Sequence, residues 1–267
     1  MAIQLIDGHH AKVKGILFDK DGTLLNFISL WGSWCEILIH QVNKRIEERI
    51  PVHPSLASLP SIFGVICDEQ GKIVDYDTEG LLSTGTMADM QSVIIHYSEQ
   101  AGIGNAEAHV IAYESMKEAY QGIERSRPVQ ARANIMDVLA QCRKQGVLLA
   151  VVTADETDDA VKHLEWLGLS NYFETIVGTD QVRQGKPSPD MIYLACERLG
   201  ILPSEVAVIG DTDSDMQMGK AAGVAITVAI FPEDKAETRI GRNLMPYRNA
   251  DVLITSYIQL LAGLKMK

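Results

Sequence analysis

From residue 131 to residue 255 the chain alternates short, almost wholly apolar runs with amphipathic stretches, and this rhythm admits few architectures. Residues 131–145 place Ile135, Val138, Leu139 and Cys142 at helical spacing and stop at Gly146. Val147–Thr153 reads as a buried strand. Residues 157–167 read as a helix with Val161, Leu164 and Leu167 on one face and Gly168 as its stop. Thr175–Thr179 is a short strand. A helix over 189–199 is expected to be capped by Ser188, with Pro189 in its first turn. Val206–Gly210 is another buried strand, a helix follows near 214–222, and Ala225–Ile230 and Val252–Thr255 complete the strands. Strands that are apolar on both faces and separated by helices imply a parallel sheet covered on both sides.

One further strand, Val13–Phe18, lies far upstream, and residues 26–127 interrupt the rhythm. That stretch predicts a long helix over 29–49, an irregular segment rich in Pro, Gly, Ser and Asp over 51–85, and helices over 87–101 and 105–121. The expected fold class is therefore α/β: a Rossmann-like, doubly wound parallel-sheet core of residues 1–25 and 128–267, with a mostly helical domain inserted over 26–127. Linkers are expected near 25–28 and 122–130.

Composition limits the function. The 267 residues are 46% hydrophobic and 22% charged, the balance of a globular chain with a sizeable core. A net charge of -11 argues against non-specific binding to nucleic acid or an anionic membrane. It does not exclude a small anionic substrate, whose site has its own local field. The four cysteines, Cys35, Cys67, Cys142 and Cys196, form no C-x-x-C pair and read as free thiols in a reducing compartment. The first residues lack a basic stretch followed by an apolar one, and no run approaches the roughly 18 apolar residues of a membrane span. The expectation is a cytoplasmic protein, monomeric or homodimeric.

Open parallel sheets bind ligands beyond the C-terminal ends of their strands. The first strand ends in Asp19-Lys20-Asp21-Gly22-Thr23, the second in Thr153-Ala154-Asp155, and the fourth in Gly210-Asp211-Thr212-Asp213-Ser214-Asp215. Gly185-Lys186-Pro187 lies downstream of the third. Asp19 and Asp21, two apart on an extended segment, point the same way. Two such carboxylates are costly side by side unless a cation or a shared proton relieves them. One edge thus gathers acids, a hydroxyl and a lysine. Other polar residues have plainer readings. Asp213, and the cluster Asp155, Glu156, Asp158 and Asp159, suit helix N-termini. The seven histidines show no ligand spacing and are assigned no metal. Trp31 and Trp34, three apart, are assigned to packing.

These motifs resemble those of the haloacid dehalogenase superfamily, in its phosphatase branch, over essentially the whole chain. Asp-Lys-Asp-Gly-Thr and Gly-Asp-Thr-x-x-Asp are its first and fourth motifs, and Gly-Lys-Pro carries its lysine. The segment 80–90 is similar to caps of phosphoglycolate-phosphatase-like members. The resemblance implies a helical cap over 26–127 that sets specificity, and a Mg²⁺-dependent phosphatase acting on a small phosphorylated metabolite, phosphoglycolate first. It implies Asp19 as nucleophile, Asp21 as general acid and base, and Thr153 and Lys186 as catalytic phosphate contacts. Backbone N–H groups near Lys20, Gly22 and Ala154 are implied to assist them. The implied metal group is Asp19, Asp21 (through its backbone carbonyl), Asp211 and Asp215. Dehalogenases lack the second acid of the first motif and phosphonatases carry Ala there, so Asp21 sets both aside. A phosphoglucomutase-like transfer, or a non-catalytic phosphate-binding protein on the same fold, stays open. Cap candidates for substrate contact are Arg45, Arg49, Lys72, Lys117, Arg125 and Arg127, each more often a surface charge. The chain departs from the commoner pattern at Ala154 and Asp155, where Asn or Ser and then Lys or Gly are usual. It departs again at Arg127-Pro-Val-Gln-Ala-Arg, which lacks the usual Pro-Gly-Val turn.

Overall fold

A computed structural model describes residues 13–51, 58–231 and 247–265. In chain order, β1 (Gly15–Phe18) is followed by α1 (Ser33–Glu47), α2 (Leu59–Phe63), β2 (Val65–Cys67), β3 (Ile73–Tyr76), α3 (Leu81–Thr84), α4 (Met87–Gln100) and α5 (Asn105–Ser126). Then come α6 (Ile135–Lys144), β4 (Leu148–Val152), α7 (Thr157–Trp166), β5 (Thr175–Val177), α8 (Asp190–Leu199), β6 (Val206–Gly210), α9 (Asp213–Ala222), β7 (Ile226–Ile230), β8 (Val252–Ile254) and α10 (Tyr257–Lys265). The chain separates into two compact units, Met1–Asn26 with Val129–Lys267, and Phe27–Pro128.

The first unit holds a six-stranded sheet in the order β5-β4-β1-β6-β7-β8. Every neighbouring pair is parallel, and β1 lies between β4 and β6 with Gly15 opposite Leu148 and Val206. Alternation along the apolar strands divides them between two faces. Ile16, Phe18, Leu149, Val151, Ala207 and Ile209 join Val138 and Leu139 of α6 and Leu260 and Leu264 of α10 in one core cluster. Leu17, Ala150, Val152 and Val208 join Met191, Ile192 and Ala195 of α8 and Met218 of α9 in the other. This is why the strands lack polar alternation: each side chain has a helix to cover it.

Several edges differ from the sequence reading. The helix expected over 131–145 starts only at Ile135, because Arg132 N–H donates to Leu24 C=O at 2.9 Å and Asn134 takes a left-handed φ of 64°. Ser188 does not cap α8; its hydroxyl donates to Asp190 Oδ1 at 2.9 Å, and Pro189 is the capping residue, with no side-chain bond. The helix α10 was not anticipated.

In the second unit α5 packs on α1 and α4. The linker expected from residue 122 is still helix, which ends at Arg127 with φ 47°. A Cβ on Gly122 would meet Ile37 Cδ1 at 2.5 Å, so glycine serves here for close approach of α1 and α5, not for a break. The segment expected to be irregular over 51–85 contains the antiparallel hairpin β2–β3, with Glu36 Oε1 accepting from Ile73 N–H at 2.7 Å. Trp31 and Trp34 are buried and meet edge to face at 6.0 Å, a packing role. Among the cap cations, Arg45 pairs with Glu118 at 2.6 Å, Arg49 with Glu107 at 2.5 Å, and Lys117 lies 5.8 Å from the Tyr113 ring centre. Among the described residues no helix is long and apolar enough to cross a membrane. The cysteines are free, and Cys35, Cys142 and Cys196 are buried.

Candidate active site

Asp19 extends β1 by one residue, its N–H donating to Ile209 C=O at 2.8 Å. The chain then turns sharply. Lys20 C=O accepts from the N–H groups of Leu24 at 2.9 Å and Leu25 at 3.1 Å, and Gly22 N–H donates to Leu25 C=O at 2.9 Å. Gly22 has φ +81°, and a Cβ there would collide with the Asp211 carboxylate. Glycine is needed twice over, for the left-handed backbone and for the approach of the first loop to Asp211. The loop is pinned from below by Tyr257, whose buried hydroxyl donates to Thr23 C=O at 3.0 Å. Tyr247 donates to Asp211 C=O at 2.9 Å, and Thr23 to Asp211 Oδ1 at 3.3 Å.

The fourth motif is also a helix start. Thr212 is the N-cap of α9 and forms a reciprocal capping box with Asp215: Asp215 N–H donates to Thr212 Oγ1 at 3.3 Å, and Thr212 N–H to Asp215 Oδ2 at 3.1 Å. The box fixes Asp215 and leaves Oδ1 beside Lys186 Nζ at 2.6 Å. Lys186 also pairs with Asp19. Asp213 is the plain helix-start acid, accepting from Gln217 Nε2 at 2.7 Å and Asn249 Nδ2 at 3.3 Å.

Asp19, Asp211 and Asp215 each place a carboxylate oxygen within 4.8 Å of the others. Two of these acids, Asp19 and Asp215, pair with the Lys186 ammonium. Burial, and then the charges of Asp215 and Asp21, push Asp19 up to about 7 against the opposing pull of Lys186. Burial, then Asp19 and Asp215, holds Asp211 well above the usual carboxylate range. Burial alone would lower the Lys186 ammonium, but the two acids beside it hold it above the usual lysine range. The group is short of positive charge and offers only oxygen donors, which fits a hard divalent cation. Thr153 follows β4 at the same sheet edge, buried, its N–H donating to Val177 C=O at 3.0 Å. Ala154 follows it in an exposed bend.

Asp21 is not among the three clustered carboxylates. Its side chain turns to Lys20 Nζ, with Oδ1 at 2.8 Å and Oδ2 at 2.7 Å. The sequence motif gives Lys20 a role only through its backbone N–H, yet its side chain is wholly buried. The same ammonium lies 2.9 Å from Asp155 Oδ2 and 3.3 Å from His163 Nδ1 on α7. Asp155, read as one of several helix-start acids, lies ahead of α7 and instead neutralises Lys20. Burial would raise the Asp155 carboxyl, but Lys20 and His163 draw it down to about 2. Burial raises Asp21 despite the opposing charge of Lys20. The signal available in the sequence was the departure at position 155, an acid after the second motif; its partner, Lys20, stands inside the first motif.

A model of the haloacid dehalogenase-like hydrolase family matches residues 13–223. The phosphoglycolate phosphatase of Escherichia coli K12 is 32% identical over 118 residues, 44% of this chain and 47% of that protein. The phosphoglycolate phosphatase of Pectobacterium atrosepticum is 40% identical over 89 residues, 33% and 38% of the two chains. These matches span less than half the length of the curated relatives. Two solved structures share the fold over nearly the whole chain. A predicted phosphoglycolate phosphatase from Haemophilus somnus 129PT has a TM-score of 0.66 at 19% identity, covering 94% of this chain and 97% of that one. A putative beta-phosphoglucomutase from Thermotoga maritima has a TM-score of 0.59 at 22% identity, covering 96% and 100%. With four sequence motifs on one edge of a parallel sheet and a family match across most of its length, the chain belongs to the haloacid dehalogenase-like hydrolases.

Proposed function

We propose that this hydrolase is a Mg²⁺-dependent phosphatase of a small phosphorylated metabolite, working through an aspartyl-phosphate. The observation that carries the reading is the convergence of Asp19, Asp211 and Asp215, two of them paired with Lys186, with Asp21 on the first loop. Asp19 attacks phosphorus, and the ester oxygen leaves with a proton from Asp21. Asp21, now a carboxylate, takes a proton from water as that water attacks phosphorus. Inorganic phosphate departs and the Asp19 carboxylate is regenerated. Lys186 offsets charge on Asp19 and the phosphoryl oxygens, and the Thr153 hydroxyl and loop N–H groups at Lys20, Gly22 and Ala154 hydrogen-bond those oxygens. Asp19, Asp211, Asp215 and the Asp21 backbone carbonyl would hold Mg²⁺, which supplies neutralisation between carboxylates and phosphate.

Selection among esters is assigned to the unit Phe27–Pro128, on the family resemblance. Phosphoglycolate is the first candidate because the curated relatives carry that activity in their names. The test is a panel of phosphate esters with Mg²⁺, run with and without glucose 1,6-bisphosphate, on the wild type and on Asp19→Asn. Phosphate release by the wild type alone supports the reading. Isomerised sugar phosphate appearing only with the bisphosphate would replace it with a mutase. Asp19→Asn turnover near wild-type rate would refute the nucleophile.

A further inference from the structure

Asp21 sits on a tight loop, and nothing in Asp-x-Asp-Gly itself fixes its side chain. Its carboxylate is 16% exposed, while the Lys20 ammonium that touches both of its oxygens is wholly buried. Lys20 therefore anchors both oxygens of a carboxylate that keeps 16% exposure. The anchor is itself held. Asp155 Oδ2 lies 2.9 Å from Lys20 Nζ, and His163 Nδ1 lies 3.3 Å from Lys20 and 3.5 Å from Asp155. His163 is buried on α7 with its ring 5.1 Å from that of Trp166, so the chain of contacts ends in a packed helix.

We propose that Lys20, Asp155 and His163 form a positioning network that sets the carboxylate of Asp21 for proton transfer to the leaving group. The inference rests on the phosphatase reading above. Asp155 has a distinct part in it. An ammonium facing Asp21 alone would form a close ion pair that draws the carboxylate away from the substrate side. Asp155 balances part of that charge, so the ammonium that faces both Asp21 oxygens is shared with a second acid. The pairing also gives the acid at position 155 a structural role, since it neutralises the buried lysine of the first motif. A buried ion group is not by itself a source of stability, since apolar side chains of similar volume serve as well. An arrangement that faces one catalytic carboxylate has a different use, because misplacement by about 1 Å can cost about a hundredfold in rate.

A network of this kind affects esters unequally. A leaving group that needs a proton, as in an alkyl phosphate, depends on Asp21; p-nitrophenolate departs without one. The experiment measures kcat/KM for p-nitrophenyl phosphate and for the alkyl phosphate hydrolysed fastest in the ester panel. It uses the wild type, Asp155→Asn, and the double variant Lys20→Met/Asp155→Asn, which leaves neither Lys20 nor Asp155 as an unpaired charge. The ratio of the two constants is independent of the folded fraction, so partial unfolding does not mask the result. We expect the alkyl-to-aryl ratio to fall roughly tenfold or more in both variants, a partial loss of the roughly hundredfold or more that general acid catalysis contributes. A ratio within about twofold of wild type, against that tenfold expectation, would overturn the positioning role and leave the phosphatase reading intact. A wild type that hydrolyses neither ester removes the phosphatase reading, and the inference with it.

Discussion

Replacing Lys20 by Met keeps the length and bulk of a fully buried side chain and removes its charge. Two carboxylates, Asp21 and Asp155, then lose the cation that lies 2.7 and 2.9 Å away. Breaking a buried ion pair by deleting one partner costs roughly 3–5 kcal/mol. Both acids keep some access to solvent, 16% and 15%, which places the expected loss toward the lower end, about 3 kcal/mol. For a chain of this size that corresponds to a drop in Tm of about 6–12 °C. Restoring charge balance in Lys20→Met/Asp155→Asn should recover about half of it, since contacting residues couple by up to about 3 kcal/mol. The pH dependence has a definite sign. Asp155 is depressed from 3.8 to about 2 in the fold, so its stabilising pairing is complete above the unfolded value and is lost as pH falls through the folded one. The gap between wild type and Lys20→Met should therefore be widest near neutrality and close in acid, over the window between those two values. Thermal unfolding followed by circular dichroism across that range is the assay. A Lys20→Met variant melting within about 2 °C of wild type at neutral pH, well under one-half of the predicted drop, would refute the reasoning. A gap that does not narrow in acid would do the same.

Three further outcomes are expected. Asp19 is raised from 3.8 to about 7, so the native state binds the extra proton, and the metal-free protein should lose stability as pH rises through that interval. Asp19→Asn should remove that part of the slope, and Mg²⁺ at about a hundredfold above its Kd should add about 2.7 kcal/mol near pH 8, read as a rise in Tm. Gly22→Ala forces a side chain into φ +81° and against Asp211. It should cost at least about 1–2 kcal/mol from the backbone alone, and titration calorimetry should show weakened Mg²⁺ binding. Tyr257→Phe leaves Thr23 C=O without its 3.0 Å donor and should lower stability by about 1–3 kcal/mol, measured by urea unfolding.

The sheet was legible because its strands are apolar on both faces and those at 148–152, 175–177 and 206–210 are each followed by a helix of their own. Val206–Gly210 has the same limits in sequence and in structure. The hairpin β2–β3 was less legible. Its strands have three and four residues, too short to establish a period. Its turn chemistry was nonetheless present, with Asp68 Oδ1 accepting from Gln70 N–H at 3.0 Å and Lys72 N–H at 2.9 Å. The pattern Tyr257, Leu260, Leu261, Leu264 at helical spacing marks α10, whose Tyr257 turns out to hold the first loop.

The sequence by itself determined which residue types stand at the strand ends, because the strand–helix rhythm carries each motif to one edge of a parallel sheet. Only the tertiary structure decided how those charges are shared. Strand alternation would point Lys20 away from Asp21, but the extended backbone stops at Asp19 and the turn from Lys20 to Leu25 cancels the alternation. The ammonium is thereby brought to Asp21, and the chain's return through β4 and α7 brings Asp155 and His163, the latter 143 residues away in sequence. Pairing over that separation depends on burial and on the path of the backbone between, which no local spacing encodes. The acids at the strand ends thus separate into one set gathered around Lys186 and another held by Lys20.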